Sequence, residues 1–251
     1  MNLSIIIIAK NEEKNLVRSL TAVQGMGEII LVDSGSTDNT RAVAERFGAQ
    51  VFDMGWNGFG PAKKFAQEKA NGSWILSIDA DEVVTAPLRE EILTVVGSDN
   101  AKAGYEITRL TNFMGKWIYH SGWYPDYVLR LFRREAGFFS DSLVHESVTV
   151  SGPVGRLNNT LLHYSYPDIS VYLRKLDRYT SLGAEELRRQ GREFHIHNLL
   201  LKPPASFFRH YLTGAGFLDG LEGFLIAGLS AYGTFIKYAK LKAFGAADKP
   251  S

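Results

Sequence analysis

Four strand-length runs, three of them almost wholly apolar and each followed by a helix-length stretch, constrain this chain more than any other feature. They lie at 3–9 (LSIIIIA), 28–33 (EIILVD), 49–53 (AQVFD) and 73–79 (SWILSID). Unbroken Ile, Leu and Val, rather than alternating apolar and polar residues, mark strands buried on both faces. Between them, 12–24 carries Leu16, Leu20 and Val23 at helical spacing, and 37–47, 60–70 and 87–96 read as helices, the last with Pro87 in its first turn. This order requires right-handed crossovers and a parallel sheet covered by helices, and it gathers ligand-binding groups at the carboxyl ends of the strands. With 251 residues, 45% of them hydrophobic, there is enough chain for one large α/β domain with an appendage.

The strand exits are polar: Lys10-Asn11-Glu12-Glu13, the segment DSGSTD from Asp33 to Asp38, and Asp79-Ala80-Asp81-Glu82. Asp79 and Asp81 flank a small residue, so their carboxylates can converge on a hard cation that also holds phosphate oxygens. Three crowded carboxylates repel unless a cation or basic side chains neutralise them, and capping with ion pairing is the plain alternative. The stretch DSGSTDNT joins a carboxylate to small residues that let a ligand approach the backbone, while Ser36 or Thr37 suits the N-cap of the helix that follows. Neither G-x-G-x-x-G nor G-x-x-x-x-G-K-[ST] occurs, which argues against a dinucleotide fingerprint or a P-loop. The lack of cysteine excludes disulfides, a thiolate nucleophile and thiolate metal sites, leaving oxygen and imidazole as ligands.

Taken in order, 4–13 (SIIIIAKNEE), 30–38 (ILVDSGSTD) and 74–82 (WILSIDADE) resemble the inverting family 2 glycosyltransferases with the GT-A fold. Trp123-Tyr124-Pro125, Arg130-Leu131-Phe132-Arg133, Val144-His145-Glu146, His163-Tyr164-Ser165 and the aromatic stretch from GFLDG (216–220) to KYAKL (237–241) are similar to the subgroup that adds glucose to the lipopolysaccharide inner core. The resemblance implies a Rossmann-like, mostly parallel sheet flanked by helices. Residues 1–166 would be the GT-A catalytic domain, with 1–100 its nucleotide-binding half and 101–166 its acceptor side. Residues 167–251 would be an aromatic and basic helical extension. It implies transfer of a hexose, glucose from UDP-glucose, onto a lipid-linked glycan, with Mg²⁺ or Mn²⁺ as cofactor.

Within that resemblance Asp33 hydrogen-bonds the uracil or ribose, and Asn11, Glu12 and Ser34 lie near the nucleoside. Asp79 and Asp81, with Ala80 between them, place the metal against the diphosphate. Lys63 and Lys64, after NGFGPA, face the nucleotide or, alternatively, solvent. His163 completes the metal shell or is a hydrogen-bonded strand residue. Arg130 and Arg133 bind phosphates of donor or acceptor, or pair with the carboxylate cluster. Trp123 and Tyr124, near Trp117, offer rings on which an acceptor sugar can stack, or plug the core. The acidic pair that the family usually places after D-x-D is missing. Glu146, beside His145, is the favoured base, with Asp141 and Asp126 as alternatives. His195 and His197 read as structural or surface residues.

Charge divides unevenly: residues 1–150 hold 15 Lys/Arg against 19 Asp/Glu, and residues 151–251 hold 13 against 8. A basic tail suits phosphates or an anionic membrane, though a solvated helix face gives the same bias. After short β segments over 103–165, 169–191 and 203–245 read as helical. The longest mainly apolar run, 224–236, is too short to span a bilayer. Phe207, Phe208, Tyr211, Phe217, Leu218, Leu221, Phe224 and Leu225, with Arg209, Lys237, Lys240 and Lys242, instead form an amphipathic surface. It lies in a headgroup layer, or it buries against the catalytic domain or another subunit of a homo-oligomer. The first residues read as a strand rather than a leader. The expected location is the cytoplasm, on the inner face of the cytoplasmic membrane, with no nucleic-acid partner. The rival readings are a transferase to polyprenyl phosphate, for which Glu146 is dispensable, and an inactive membrane-bound GT-A scaffold.

Overall fold

The structure, a computed structural model, describes residues 2–55, 58–139 and 148–247. The chain separates into two compact units, Met1–Leu110 with Asp126–Tyr164, and Thr111–Pro125 with Ser165–Ser251.

The first unit opens with β1 (Leu3–Ala9), α1 (Glu13–Val23), β2 (Glu28–Asp33), α2 (Thr40–Arg46), β3 (Gln50–Asp53), α3 (Phe59–Lys69) and β4 (Trp74–Asp79). β1 pairs in parallel with β2 on one side and β4 on the other, and β3 extends the row beyond β2. The order β3-β2-β1-β4 therefore reverses direction at β1, the topology that opens a crevice at the carboxyl ends of the strands. Alternate residues serve the two faces, as the pleat demands. Ile5, Ile7, Ile29 and Leu31 join Leu16, Leu20 and Val23 of α1 in one core. Ile6, Ile8, Ile30 and Val32 face Ala62 and Ala66 of α3 in another.

The chain continues with β5 (Glu82–Val84), α4 (Ala86–Val96), β6 (Gly104–Phe113), β7 (Lys116–Trp117), β8 (Asp126–Arg133), β9 (Gly137–Phe139), β10 (Val148–Val150) and β11 (Val154–Tyr166). β8 runs antiparallel to β4 and β6 antiparallel to β8. β11 and β5 follow, so the nine-stranded sheet is parallel in its first half and mixed in its second, while β9 and β10 form a separate pair. α4 starts where expected, with Pro87 in its first turn and the Thr85 hydroxyl accepting the Leu88 N–H.

The second unit contains α5 (Ile169–Arg189), α6 (Ile196–Phe208), a π turn over Arg209–Thr213, a 3₁₀ turn over Gly216–Asp219, and α7 (Gly220–Ala247). α6 begins earlier than the expected 203 and carries Pro203 and Pro204 in its interior. The packing also draws the boundary differently from a cut at residue 166. Phe113, Ile118 and Trp123 pack with Tyr166, Tyr172 and Ile226, so 111–125 sits in the helical unit. A second cluster joins Ala184, Tyr238 and Leu241 to Leu187, Phe194 and Leu199.

Candidate active site

The loops after β1 and β2 are clasped together by side chains. Asn11 adopts a left-handed backbone, φ 56°, which its short amide side chain tolerates. Its Oδ1 accepts the Thr37 N–H at 2.7 Å, while its own N–H donates to Ser36 Oγ at 2.9 Å. The N–H groups of Glu12 and Glu13 donate to Thr40 Oγ1 at 2.8 Å and Asp38 Oδ2 at 3.2 Å. Ser36 and Thr37 are thereby committed to the neighbouring loop, which is why α2 begins at Thr40 rather than at 37. Asp33 is buried at the base of this clasp; its carboxylate accepts the Ser36 N–H at 3.2 Å and the Ser36 hydroxyl, with Arg41 3.6 Å away. Ser34 is buried beside it, and Glu12 accepts from the Asn15 amide at 2.8 Å. Gly35, φ 85°, has open space where a Cβ would stand, so the loop presents bare backbone.

At the exit of β4 the charges are interleaved. Asp79 Oδ1 accepts from Lys63 Nζ at 3.0 Å and Oδ2 from Arg130 Nη2 at 2.6 Å. Burial opposes the charged form of Asp79, but the Arg130 and Lys63 cations outweigh it and hold the carboxyl well below the usual carboxylate range. Glu82, 0% exposed, accepts through Oε1 from Arg130 at 2.5 Å and Arg109 at 3.3 Å, and through Oε2 from the Asp79 N–H at 3.0 Å. Arg109 reaches on to Asp126 at 2.7 Å. Burial disfavours the Arg130 charge, and Asp79 and Glu82 overcome this, raising its pKa above the ordinary guanidinium value. Lys63, Asp79, Arg130, Glu82, Arg109 and Asp126 thus form an alternating, formally neutral chain of charges. From α1, the buried Ser19 hydroxyl lies 2.7 Å from the Ala80 carbonyl and 2.6 Å from that of Glu82, pinning the turn between them.

Asp81 meets β11. Its Oδ2 lies 3.4 Å from His163 Nε2, and its carbonyl accepts the Tyr164 N–H at 2.9 Å. Antiparallel pairing of β5 with β11 sets His163 opposite Glu82 and so brings it to the carboxylates. The expected metal trio is therefore divided. Asp81 and His163 meet, while the Asp79 carboxylate goes to Lys63 and Arg130, whose two charges satisfy it in the partly buried site. Among the described residues, no three acidic or histidine side chains are gathered to hold an ion.

Other expected residues are scattered. Lys63 is buried in the cluster, whereas Lys64 on the same helix is exposed. Arg130 joins the site, whereas Arg133 pairs across from Trp74 at the opposite edge of the sheet, its guanidinium 4.8 Å from the Trp74 ring. In the second unit, Trp123 stacks on Tyr172 with ring centroids 6.3 Å apart and meets Phe113 edge-on, a packing role. Tyr124 meets the exposed Tyr119 at 5.7 Å. His195 and His197 stack on each other. Glu146 and Asp141 lie outside the described residues. Glu82, Arg109 and Ser19 were missed as site residues. Glu82 stood in plain view as the third carboxylate of the run, but Arg109 and Ser19 carry no local signal.

A family model described as Glycosyl transferase family 2 matches residues 4–143 of the chain. The chain belongs to this family. Among its relatives, the lipopolysaccharide core biosynthesis glycosyltransferase LpsC of Rhizobium meliloti (strain 1021) is 31% identical over 255 residues, covering 95% of this chain and 91% of LpsC. An uncharacterised glycosyltransferase of Rickettsia felis is 31% identical over 96% of this chain and 89% of its own. In fold, this family 2 glycosyltransferase is similar to the mannosyltransferase PcManGT from Pyrobaculum calidifontis, solved in complex with GDP-Man and Mn²⁺. That likeness spans 100% of this chain and 76% of PcManGT, with TM-score 0.53 at 15% identity. The architecture is the expected GT-A one, an α/β sheet flanked by helices with further helices at the C-terminus.

Proposed function

We propose that this family 2 glycosyltransferase moves glucose from UDP-glucose onto a hydroxyl of a lipid-linked glycan such as the lipopolysaccharide inner core, inverting the anomeric carbon. The observation that carries the reading is the Asp81–His163 contact, 3.4 Å, beside an Asp79 already neutralised by two cations. The name of LpsC supports the acceptor class.

Asp81, through a carboxylate oxygen, and His163, through its imidazole, would hold Mn²⁺ or Mg²⁺. An ion held by those two residues would supply stabilisation of the charge that grows on the departing diphosphate. Asp79 acts as the anchor that keeps Lys63 and Arg130 oriented towards that diphosphate. Asn11, Glu12, Asp33 and Ser34 hold the nucleoside, on a clasp whose hydrogen bonds exist before the ligand arrives. Glu146 takes the proton of the acceptor hydroxyl as its oxygen bonds to the anomeric carbon and the bond to the diphosphate breaks. Asp126 is less suited, being tied to Arg109.

Calorimetric titration with UDP, GDP and their sugars, with and without Mn²⁺, tests the reading. Metal-dependent binding of UDP species, lost in Asp81→Ala, is the expected result. Binding of GDP species alone sinks the donor, and metal-independent binding sinks the Asp81 and His163 assignment. Glu146→Gln should bind donor yet fail to transfer; transfer persisting to a phosphate acceptor would favour a polyprenyl phosphate instead.

A further inference from the structure

The second unit exposes apolar side chains that its own packing leaves uncovered. α6 has no buried residue, and on its outer side Ile196, Leu200, Pro204 and Phe208 recur every four positions. Ile196, Leu200, Leu201 and Phe208 are 59%, 63%, 66% and 55% exposed. The stripe runs on through Leu212 into the elbow between the two arms, Ile196–Thr213 and Gly216–Phe244, which meet at 71°. There Phe217, Leu218 and Leu221 are 51%, 60% and 67% exposed.

The elbow is held rather than loose. The buried Asp219 carboxylate accepts the His120 N–H at 3.0 Å and the Ser121 hydroxyl at 3.2 Å, and His120 Nδ1 lies 3.1 Å from it. The π turn is fixed by His210, whose Nδ1 lies 2.7 Å from the Ser121 carbonyl. Charge around the apolar face is one-sided. Residues 196–224 hold two basic residues, Lys202 and Arg209, and two acidic ones, Asp219 and Glu222. Of those carboxylates Asp219 is buried, and Glu222 is paired with Lys116 at 3.1 Å. Arg209, His195 and His197 are exposed.

We propose that this bent helical face lies in the headgroup layer of an anionic phospholipid bilayer, its Leu and Phe side chains entering the acyl boundary and its basic residues meeting lipid phosphates. Among the described residues no single helix is long and apolar enough to cross a membrane; the two arms reach that length and composition only as a pair bent by 71°, a bend that suits a seat in the interface. A two-fold contact with a second copy would set the basic rim against itself, whereas anionic lipid neutralises it. The inference goes beyond the donor chemistry and is independent of it.

Flotation of the full chain with phosphatidylcholine vesicles, with and without phosphatidylglycerol, tests it. Binding should require phosphatidylglycerol and weaken with salt. Leu200→Glu with Leu201→Glu, and separately Leu218→Glu with Leu221→Glu, should each lower the partition coefficient roughly tenfold or more. Arg209→Gln should lower it about fivefold. Nucleotide binding by the same variants reports that they fold. No flotation, or flotation indifferent to the four Leu substitutions, overturns the proposal. So does a dimer that those substitutions dissolve while vesicles are ignored.

Discussion

The exit of β4 and the elbow of the helical unit invert the usual distribution of residues in opposite senses. At β4, charge goes inward and each of Asp79, Glu82 and Asp126 finds a cation. At the elbow, hydrocarbon faces outward and finds no cover within its own unit. A buried charge and a large exposed apolar face are the two placements that carry information, because each costs stability unless something balances it. The balance at β4 is internal, so that site is assembled before any ligand arrives; the elbow's balance, in the proposal above, comes from lipid.

The comparison breaks most severely if the β4 cluster is opened. Glu82→Ala removes the buried carboxylate shared by Arg130, Arg109 and the Asp79 N–H, and should cost about 3–5 kcal/mol in urea unfolding, since it strands buried cations. Asp81→Ala keeps Asp79, Glu82 and Asp126 with their cations, so it should fold normally while losing about two to three orders of magnitude in kcat with saturating Mn²⁺. Normal unfolding with normal turnover would show that the ion does not sit on Asp81.

Asp79 sharpens the contrast through pH. Its folded pKa is depressed, so the stability it contributes is fully present above the ordinary carboxylate value near ~4 and is lost only as pH falls below that towards the folded value. Unfolding midpoints from pH 7 down to about 4 should therefore show no loss from this group. Below that, wild type should lose stability relative to Asp79→Asn; parallel curves would deny the depressed pKa. The smallest effect belongs to Thr85→Ala, which removes the cap of α4 and should cost about 1 kcal/mol without altering donor affinity.

What was legible in the sequence was what short-range pattern encodes. The apolar runs gave β1, β2 and β4 within a residue or so, and Leu16, Leu20 and Val23 gave the inward face of α1. Because parallel strands end together, the sequence alone puts the polar exits on one edge. Contacts between distant positions were not legible. Lys63 and Arg130 reach Asp79 from 16 and 51 residues away, and nothing in either local sequence marks which arginine of YVLRLFRR faces the carboxylates. Strand register decided that: Trp74 pairs with Arg133 and Leu76 with Leu131, so β8 carries Arg130 towards the carboxyl end of β4 and leaves Arg133 at the other. That Glu82 is buried was hidden for the same reason, since it depends on β5 pairing with a strand some eighty residues on. Trp123 looked like a loop aromatic because the helices that enclose it come later in the chain.

As the proposed seat of the nucleoside, the clasp between residues 11–13 and 36–40 bears on how donor preference could be altered by design. Each loop supplies both donors and acceptors to the other, down to the Asn39 amide and N–H on Glu13 at 3.2 and 3.0 Å. Neither loop is a separate cassette. A graft that imports only one of them leaves half of the pairings without a counterpart, so the two must be exchanged together, with Asn11 retained at its left-handed corner, for a transplanted specificity to keep its shape.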